Sequence, residues 1–298
     1  QEYEGRSELA IDWKVANLTS SEGWKEAMEG CDFVLHVASP VMMENPKDEN
    51  ELITPALEGT KNVLKAASSA GVKRVVVTSS VAAILYGRDD EIDEEFSFNE
   101  EHWTDVNHKN TSAYAKSKTL AEKAAWEFIE KDSGGMELSV INPAMVFGPV
   151  LEEDYGTSVG VILEMMSGNY PMVPNIDMGI VDVRDVADLQ LLAMTHPEAA
   201  GKRFVCSESN MMMKEQTDFL RDAFPEFQNK IPTREAPTWL LKLFAFLRPP
   251  LKAIAPELGK NRKLDSSRAR ELLGWKPRPA KEAIKAAAES LIKFDSLN

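Results

Sequence analysis

Four short runs of branched apolar residues, separated by helix-length stretches, constrain this chain more than any other feature. They are Phe33 to Ala38 in GCDFVLHVASP, the valine-rich VKRVVVTSS, MELSVINPAMVFGP, and RFVCS after Gly201. Branched side chains stand side by side in these runs instead of alternating with polar ones, which predicts strands covered on both faces. Between them, helices are expected at Ser20 to Glu29, after the short apolar unit Leu9 to Val15, and at about Glu49 to Ala70 and Tyr114 to Lys131. The second carries Ile53, Leu57, Thr60 and Leu64 on one face and stops at Gly71, while Gly134-Gly135 ends the third. Strand and helix in alternation predict an α/β fold with a doubly wound parallel sheet.

Later segments break this rhythm. Thr157 to Ser167 predicts an inserted helix, and from about Met211 the chain reads as mainly helical, divided by eight prolines from Pro225 to Pro279. Ala280 to Phe294 predicts an amphipathic last helix with Ile284, Ala288, Leu291 and Ile292 on its apolar face. Residues 1–150 with about 178–208 are therefore expected to form a Rossmann-like domain. Residues of about 151–177 with 209–298 are expected to form a smaller, mainly helical domain over the carboxyl edge of the sheet, where open α/β folds collect ligands.

Composition excludes several classes of function. With 48 acidic against 34 basic residues and a formal charge of -14, the chain is poorly matched to a phosphate backbone, so no nucleic-acid partner is expected. The four histidines, His36, His102, His108 and His196, form no HExxH, and Cys31 and Cys206 form no CxxC, so no metal site is expected. Both cysteines lie in apolar surroundings and read as buried free thiols of a reducing compartment. No run is long enough to span a membrane. Trp239 to Leu251 carries Lys242 and Arg248, no signal peptide opens the sequence, and a cytoplasmic location is expected.

The segment YAKSK, Tyr114 to Lys118, is the most informative local pattern. Positions i and i+4 share a helix face, so phenol and ammonium can converge. A cation beside a phenol lowers its pKa and suits it to protonate a carbonyl oxygen, while the lysine can also reach a ribose hydroxyl. By itself the spacing is common on ordinary helices. Thr78-Ser79-Ser80 ends the valine-rich strand, where small hydroxyls either cap the next turn or face a ligand. Ser80 would orient the carbonyl and stabilise charge on its oxygen, with Tyr114 giving the proton. Against nucleotide binding stands the lack of a GxGxxG turn: Gly5 is isolated, and Gly23 and Gly30 flank a helix.

Six segments, GCDFVLHVASP, GTKNVLKAA, VKRVVVTSSVAA, YAKSKTLAEKAAWEF, INPAMVFGP and IVDVRDVADLQLLA, followed by LGWKPRP, occur in one order over about residues 15 to 280. In that order they resemble the extended short-chain dehydrogenases/reductases, in the branch of dihydroflavonol reductases, cinnamoyl-CoA reductases and microbial methylglyoxal or aldehyde reductases. The resemblance implies a nicotinamide cofactor, NADP(H) preferred with NAD(H) open, and a catalytic set of Ser80, Tyr114 and Lys118. It also implies cofactor contacts from Val37, Ala38 and Ser39 beside the adenosine and pyrophosphate, and from Pro143 and Val146 beside the nicotinamide. Thr78 would face ribose or substrate, and Asn17 with Leu18 would stand where the family usually reads ADLT. There ANLT replaces the acid that commonly meets adenine. For Val37 and Val146, core packing is equally open. Family members begin with a strand, a GxxGxxG turn, a helix and a second strand, so about 40 to 55 further residues are expected ahead of this sequence.

On the substrate side, Val41, Met42 and Met43 follow the cofactor loop, and Met145, Phe147, Tyr155 and Met178 lie near other edge loops. Met42, Phe147 and Tyr155, with Ser80 and Tyr114, are the candidate substrate contacts, with core packing as the other reading. An uncharged aldehyde or ketone is expected as the small-molecule partner. Asp89 to Glu101 reads as a solvated acidic insertion, and Asp182 and Asp185 as loop-orienting and helix-capping residues. Monomer and homodimer are both open. Two rival readings remain, a nucleotide-sugar epimerase or dehydratase and a non-catalytic regulatory protein with a reductase fold.

Overall fold

The computed structural model describes residues 11–40, 46–88, 96–132, 134–153, 155–245 and 255–297. A parallel sheet forms its centre, in the order β1 (Phe33–His36), β2 (Arg74–Thr78), β3 (Glu137–Pro143) and β7 (Lys202–Cys206). Side chains alternate across each strand, and the valines of β2 divide accordingly. Val75 and Val77 join Leu138 and Val140 under α2 (Asn50–Ala70) and α3 (Ala113–Lys131), with Val63, Leu64 and Ala125. Val76 joins Ile141 and Phe204 on the opposite face, under α5 (Val183–Thr195) and α8 (Ser267–Leu273), through Leu189 and Leu273. A fully buried aliphatic side chain in such a layer contributes about 1.5–3 kcal/mol.

The strand boundaries differ from expectation in instructive ways. β1 stops at His36, leaving Val37 and Ala38 exposed beyond it. The run from Met136 to Pro149 is two strands: β3 ends at Pro143, and β4 (Met145–Phe147) belongs to a second sheet with β6 (Asp177–Asp182) and β8 (Ser209–Met212). Pro143 brings no N–H to the ladder, and the next N–H, of Ala144, goes to the Cys206 carbonyl at 3.0 Å before the chain turns away. The first helix shrinks to α1 (Trp24–Met28), because Gly23 takes a left-handed φ of 81° against the Val15 carbonyl, where a Cβ would sit 2.4 Å from the oxygen.

A second core joins α4 (Thr157–Ser167), α6 (Met213–Ala223) and α9 (Ala280–Lys293) to β4 and β6, through Phe147, Ile162, Met166, Ile180, Leu220 and Ile284. The segment after Met211 thus holds strand as well as helix, with β5 (Val173–Pro174) pairing β9 (Glu235–Ala236), and α7 (Thr238–Phe244) following. LGWKPRP ties this part to the sheet: the Trp275 indole donates to the Asp185 carbonyl at 2.9 Å, and Arg278 pairs with the Asp185 carboxylate. Asp182 caps α5, accepting from the Arg184 N–H at 2.9 Å.

Two expectations fail. Cys31 is exposed, since its short apolar run starts only at Phe33; Cys206 is buried, and both are free. The acidic insertion lies outside the described residues at 89–95, but its second half folds inward: Phe98 is fully buried, and Glu100 accepts from the Val205 N–H at 2.8 Å. An aromatic residue every second position, Phe96 and Phe98, draws that segment against Ile84, Leu85 and Val205.

Candidate active site

The site lies at the carboxyl edge of the central sheet. Ser80 leaves β2 with extended backbone and caps a single 3-10 turn, Val81–Ala83, its Oγ accepting from the Ala82 N–H at 3.1 Å. That turn is fixed by Thr104, whose hydroxyl donates to the Ala82 carbonyl at 2.8 Å and accepts from the Tyr86 N–H at 3.0 Å. Tyr114 and Lys118 occupy the first turns of α3, which Ser112 caps through the Ala115 N–H at 3.2 Å. Helical spacing places the Lys118 ammonium 5.9 Å from the centre of the Tyr114 ring.

Electrostatics differ from the simple expectation of a phenol acidified by its lysine. Burial pushes the Tyr114 phenol up, and a hydrogen bond with the Ser80 side chain opposes this. The phenol is therefore a protonated donor at neutral pH. Burial lowers Lys118 to about 8, with the Glu122 carboxylate pulling the other way. His36, at the end of β1, is pushed down to about 4 by burial and then by the Lys118 charge, so it faces the ammonium as a neutral imidazole.

Other expected contacts are distributed less evenly. A cavity of about 530 Å³ is lined by Tyr114, Met145, Val146, Phe147, Tyr155 and Val183, with neighbouring glycines, proline and small residues, and no charged side chain lines it among the described residues. Phe147 is 1% exposed and belongs mainly to the second core. Gly148 completes the wall at φ +120°, where a Cβ would press on Val183 and Asp182. Pro143 is buried in β3 and does not line this cavity. The Thr78 hydroxyl accepts from Gln190 at 2.8 Å on the α5 face, the face opposite α3. Asn17 spends its side-chain oxygen on its own turn, accepting from the Thr19 N–H and hydroxyl, both at 2.9 Å. Leu18 packs closely on Gly59 of α2. Met42 lies outside the described residues.

Several residues of the site escaped sequence reasoning: His36, Glu122, Asn142 and Arg203. Glu122 and Arg203 are both buried and bonded to each other at 2.5 Å. The available signal was helical spacing, since Tyr114, Lys118 and Glu122 fall at i, i+4 and i+8.

A model of the NAD dependent epimerase/dehydratase family matches residues 3–207. The chain belongs to this family. Within these extended short-chain dehydrogenases/reductases it is 34% identical over 278 residues to the NADPH-dependent methylglyoxal reductase of Saccharomyces cerevisiae, spanning 88% of this chain and 77% of that one. It is 39% identical over 236 residues to cinnamoyl-CoA reductase 1 of Petunia hybrida, spanning 78% and 67%. The crystal structure of the yeast methylglyoxal/isovaleraldehyde reductase with NADPH superposes with a TM-score of 0.81 at 29% identity, covering all of this chain and 88% of the other. The reductase branch indicated by the ordered segments is thus the one to which these relatives belong.

Beyond the end of β1 the sheet edge is open at the residues expected to meet the cofactor. Val37, 54% exposed at the end of β1, with Ala38 and Ser39, offers an open apolar ledge. Lys118 is buried and Val146 lines the cavity beside Tyr114.

Proposed function

We propose that the protein reduces an aldehyde or ketone to an alcohol with NADPH, Tyr114 giving the proton. The observation that carries this reading is the place of Tyr114, on the wall of an uncharged cavity, beside the Ser80 side chain and one helical turn from the buried Lys118. Ser80 and Tyr114 would both donate to the substrate oxygen, holding the carbonyl and stabilising the negative charge that grows there. Tyr114, kept protonated by burial, delivers its proton to that oxygen, and the adjacent ammonium of Lys118 stabilises the phenolate left behind. NADPH, when bound, supplies the hydride; Val37, Ala38, Ser39, Lys118 and Val146 would hold it. Names of the relatives support both the reaction class and the phosphorylated cofactor.

An apolar wall of Met145, Val146, Phe147 and Tyr155 favours an uncharged carbonyl compound over a nucleotide sugar, whose phosphates call for basic groups. A cytoplasmic site of action belongs to the same proposal. It is supported by two unpaired cysteines, and no described helix is long and apolar enough to cross a membrane. The deciding test is oxidation of NADPH by the full-length protein with a panel of aldehydes and ketones. Turnover that needs the Tyr114 hydroxyl supports the reading; tight NADPH binding with no turnover of any carbonyl overturns it.

A further inference from the structure

Behind the Ser80, Tyr114 and Lys118 cluster lies a buried polar network. Glu122 sits one turn past Lys118 on the same face of α3, its side chain 0% exposed. One carboxylate oxygen accepts from the Arg203 Nε at 2.5 Å, and the other from the Asn142 amide at 2.8 Å. The same Asn142 amide donates to the backbone carbonyl of Ser80 at 3.1 Å. Arg203 in turn stacks 3.7 Å from the Trp103 ring centre and donates to the carbonyls of Glu100 and His102 at 2.9 and 3.0 Å. Three elements that carry or support the reacting groups, α3, the end of β2 and the end of β3, thus meet at one carboxylate.

An ion pair buried this deeply is a poor means of stabilising a fold, because desolvating both charges consumes most of what their attraction returns. Local geometry gives it another use. Within this face of the sheet, Ser79 Oγ and Asn142 Oδ1 are both buried without a hydrogen-bond partner, just past the last paired residues of β2 and β3. They are neutral acceptors and bring no charge to offset a buried ammonium. Of the charged and titratable groups around Lys118, Tyr114 on α3 is protonated, His36 on β1 is neutral, and Arg203 on β7 is positive and lies behind Glu122. Glu100, from the loop that Arg203 clamps, is committed to the Val205 N–H. Glu122 stands one helical turn from Lys118 and is paired with Arg203 and Asn142, not with the lysine; its negative charge favours the ammonium against the effect of burial.

We propose that Glu122 is a positioning residue that holds Lys118 in its ammonium form and, through Asn142, fixes the backbone of Ser80. The inference rests on the reductase reading for its consequence in turnover, but not for its effect on Lys118. Without the carboxylate, the burial that lowers Lys118 acts unopposed, so the ammonium is lost at lower pH.

The test compares kcat/KM against pH, with NADPH and an aldehyde, in the full-length wild type, Glu122→Gln, Glu122→Asp and the paired Glu122→Gln/Arg203→Gln. In Glu122→Gln the alkaline limb is expected to move to lower pH by about one unit or more, while Glu122→Asp keeps it near the wild-type position. The paired variant removes both charges together and so guards against misfolding by an orphaned guanidinium; its limb moves in the same direction. Wild-type limbs in both Glu122→Gln and the paired variant overturn the proposal and leave Glu122 a structural residue. A second readout needs no turnover: the Lys118 Cε resonance, assigned by its loss in Lys118→Arg, is titrated in lysine-labelled protein. If the wild type reduces no carbonyl, the reductase reading fails. A downward displacement of that titration in the Glu122 variants still sustains the positioning role, and an unmoved titration overturns it.

Discussion

Helices α2 and α3 are nearly the same length, pack side by side and cover the same face of the sheet, yet they bury opposite chemistry. α2 buries Leu52, Ile53, Ala56, Val63, Leu64 and Ala67, with Gly59 admitting Leu18. α3 buries Ser117, Lys118, Thr119 and Glu122 among its alanines. The first is held by apolar area removed from water; the second places charges where they cost stability, with Glu122 paired to Arg203 and Asn142. Adjacent helices on one sheet can therefore divide the work, one fastening the layer and the other using it as a rigid mount.

The strongest way to break that division is to remove function from α3 without touching the fold. Tyr114→Phe deletes one hydroxyl at a half-buried position, and a lost general acid typically costs about 10²–10⁴-fold in rate. Carbonyl reduction should fall by that factor while thermal unfolding stays close to wild type. A loss of folding in step with activity would show α3 to be a fastening helix after all. The complementary change is Leu64→Ala in α2, at a side chain with no exposure. It should lower stability by about 2–5 kcal/mol, measured by urea unfolding, with kcat per folded molecule unchanged.

This contrast also explains what was legible in the sequence. α2 announced itself through periodic apolar residues, and its bounds, Asn50 and Ala70, lie within a residue of those expected. The strand cores of β2 and β7 were readable for the same reason, because hydrophobic runs report burial directly. Tyr114, Lys118 and Ser80 were visible as a motif, but not the groups that support them. Glu122, Arg203 and Asn142 are polar letters whose burial depends on partners 20 to 81 residues away in sequence. Nor did the sequence separate β3 from β4, since MELSVINPAMVFGP is mostly apolar on both sides of Pro143 and only the second sheet gives β4 a different partner. The inward fold of Phe98 and Glu100 was hidden by the acidic residues around them.

His36 sharpens the comparison with a titration instead of a deletion. Its imidazole is neutral in the folded chain, at about 4, against an ordinary value of 6.5. Between those values the unfolded state binds the proton that the folded state refuses, so this contribution to stability is whole above about pH 6.5 and is lost as pH falls toward 4. Its size is on the order of 3 kcal/mol. Unfolding temperature followed from pH 7 to pH 4 should drop less steeply in His36→Gln than in wild type. Parallel curves would mean that the imidazole is charged or solvated in the folded protein, and that the Lys118 side of α3 is more open than its burial indicates.

The smallest effect concerns how each helix begins. α3 starts at Ser112, whose hydroxyl accepts from the Ala115 N–H, whereas at the start of α2 Glu49 caps nothing and Asp48 before it accepts from the Asn50 N–H at 2.9 Å. Glu49 reaches instead across to Lys116 of α3 at 2.6 Å. The Ser112 cap matters for function as well as stability, because Tyr114 stands two residues from the start of α3 and a frayed first turn would misaim it. Ser112→Ala should therefore cost about 1 kcal/mol of stability, and should lower kcat more than that loss explains, because the first turn carries the phenol. Glu49→Ala removes only a partly exposed ion pair, worth about 0–1 kcal/mol, and should leave kcat unchanged. Equal effects of the two substitutions on kcat, measured at a temperature where both variants are fully folded, would show that the orientation of Tyr114 comes from the packing of α3 on the sheet and not from its cap.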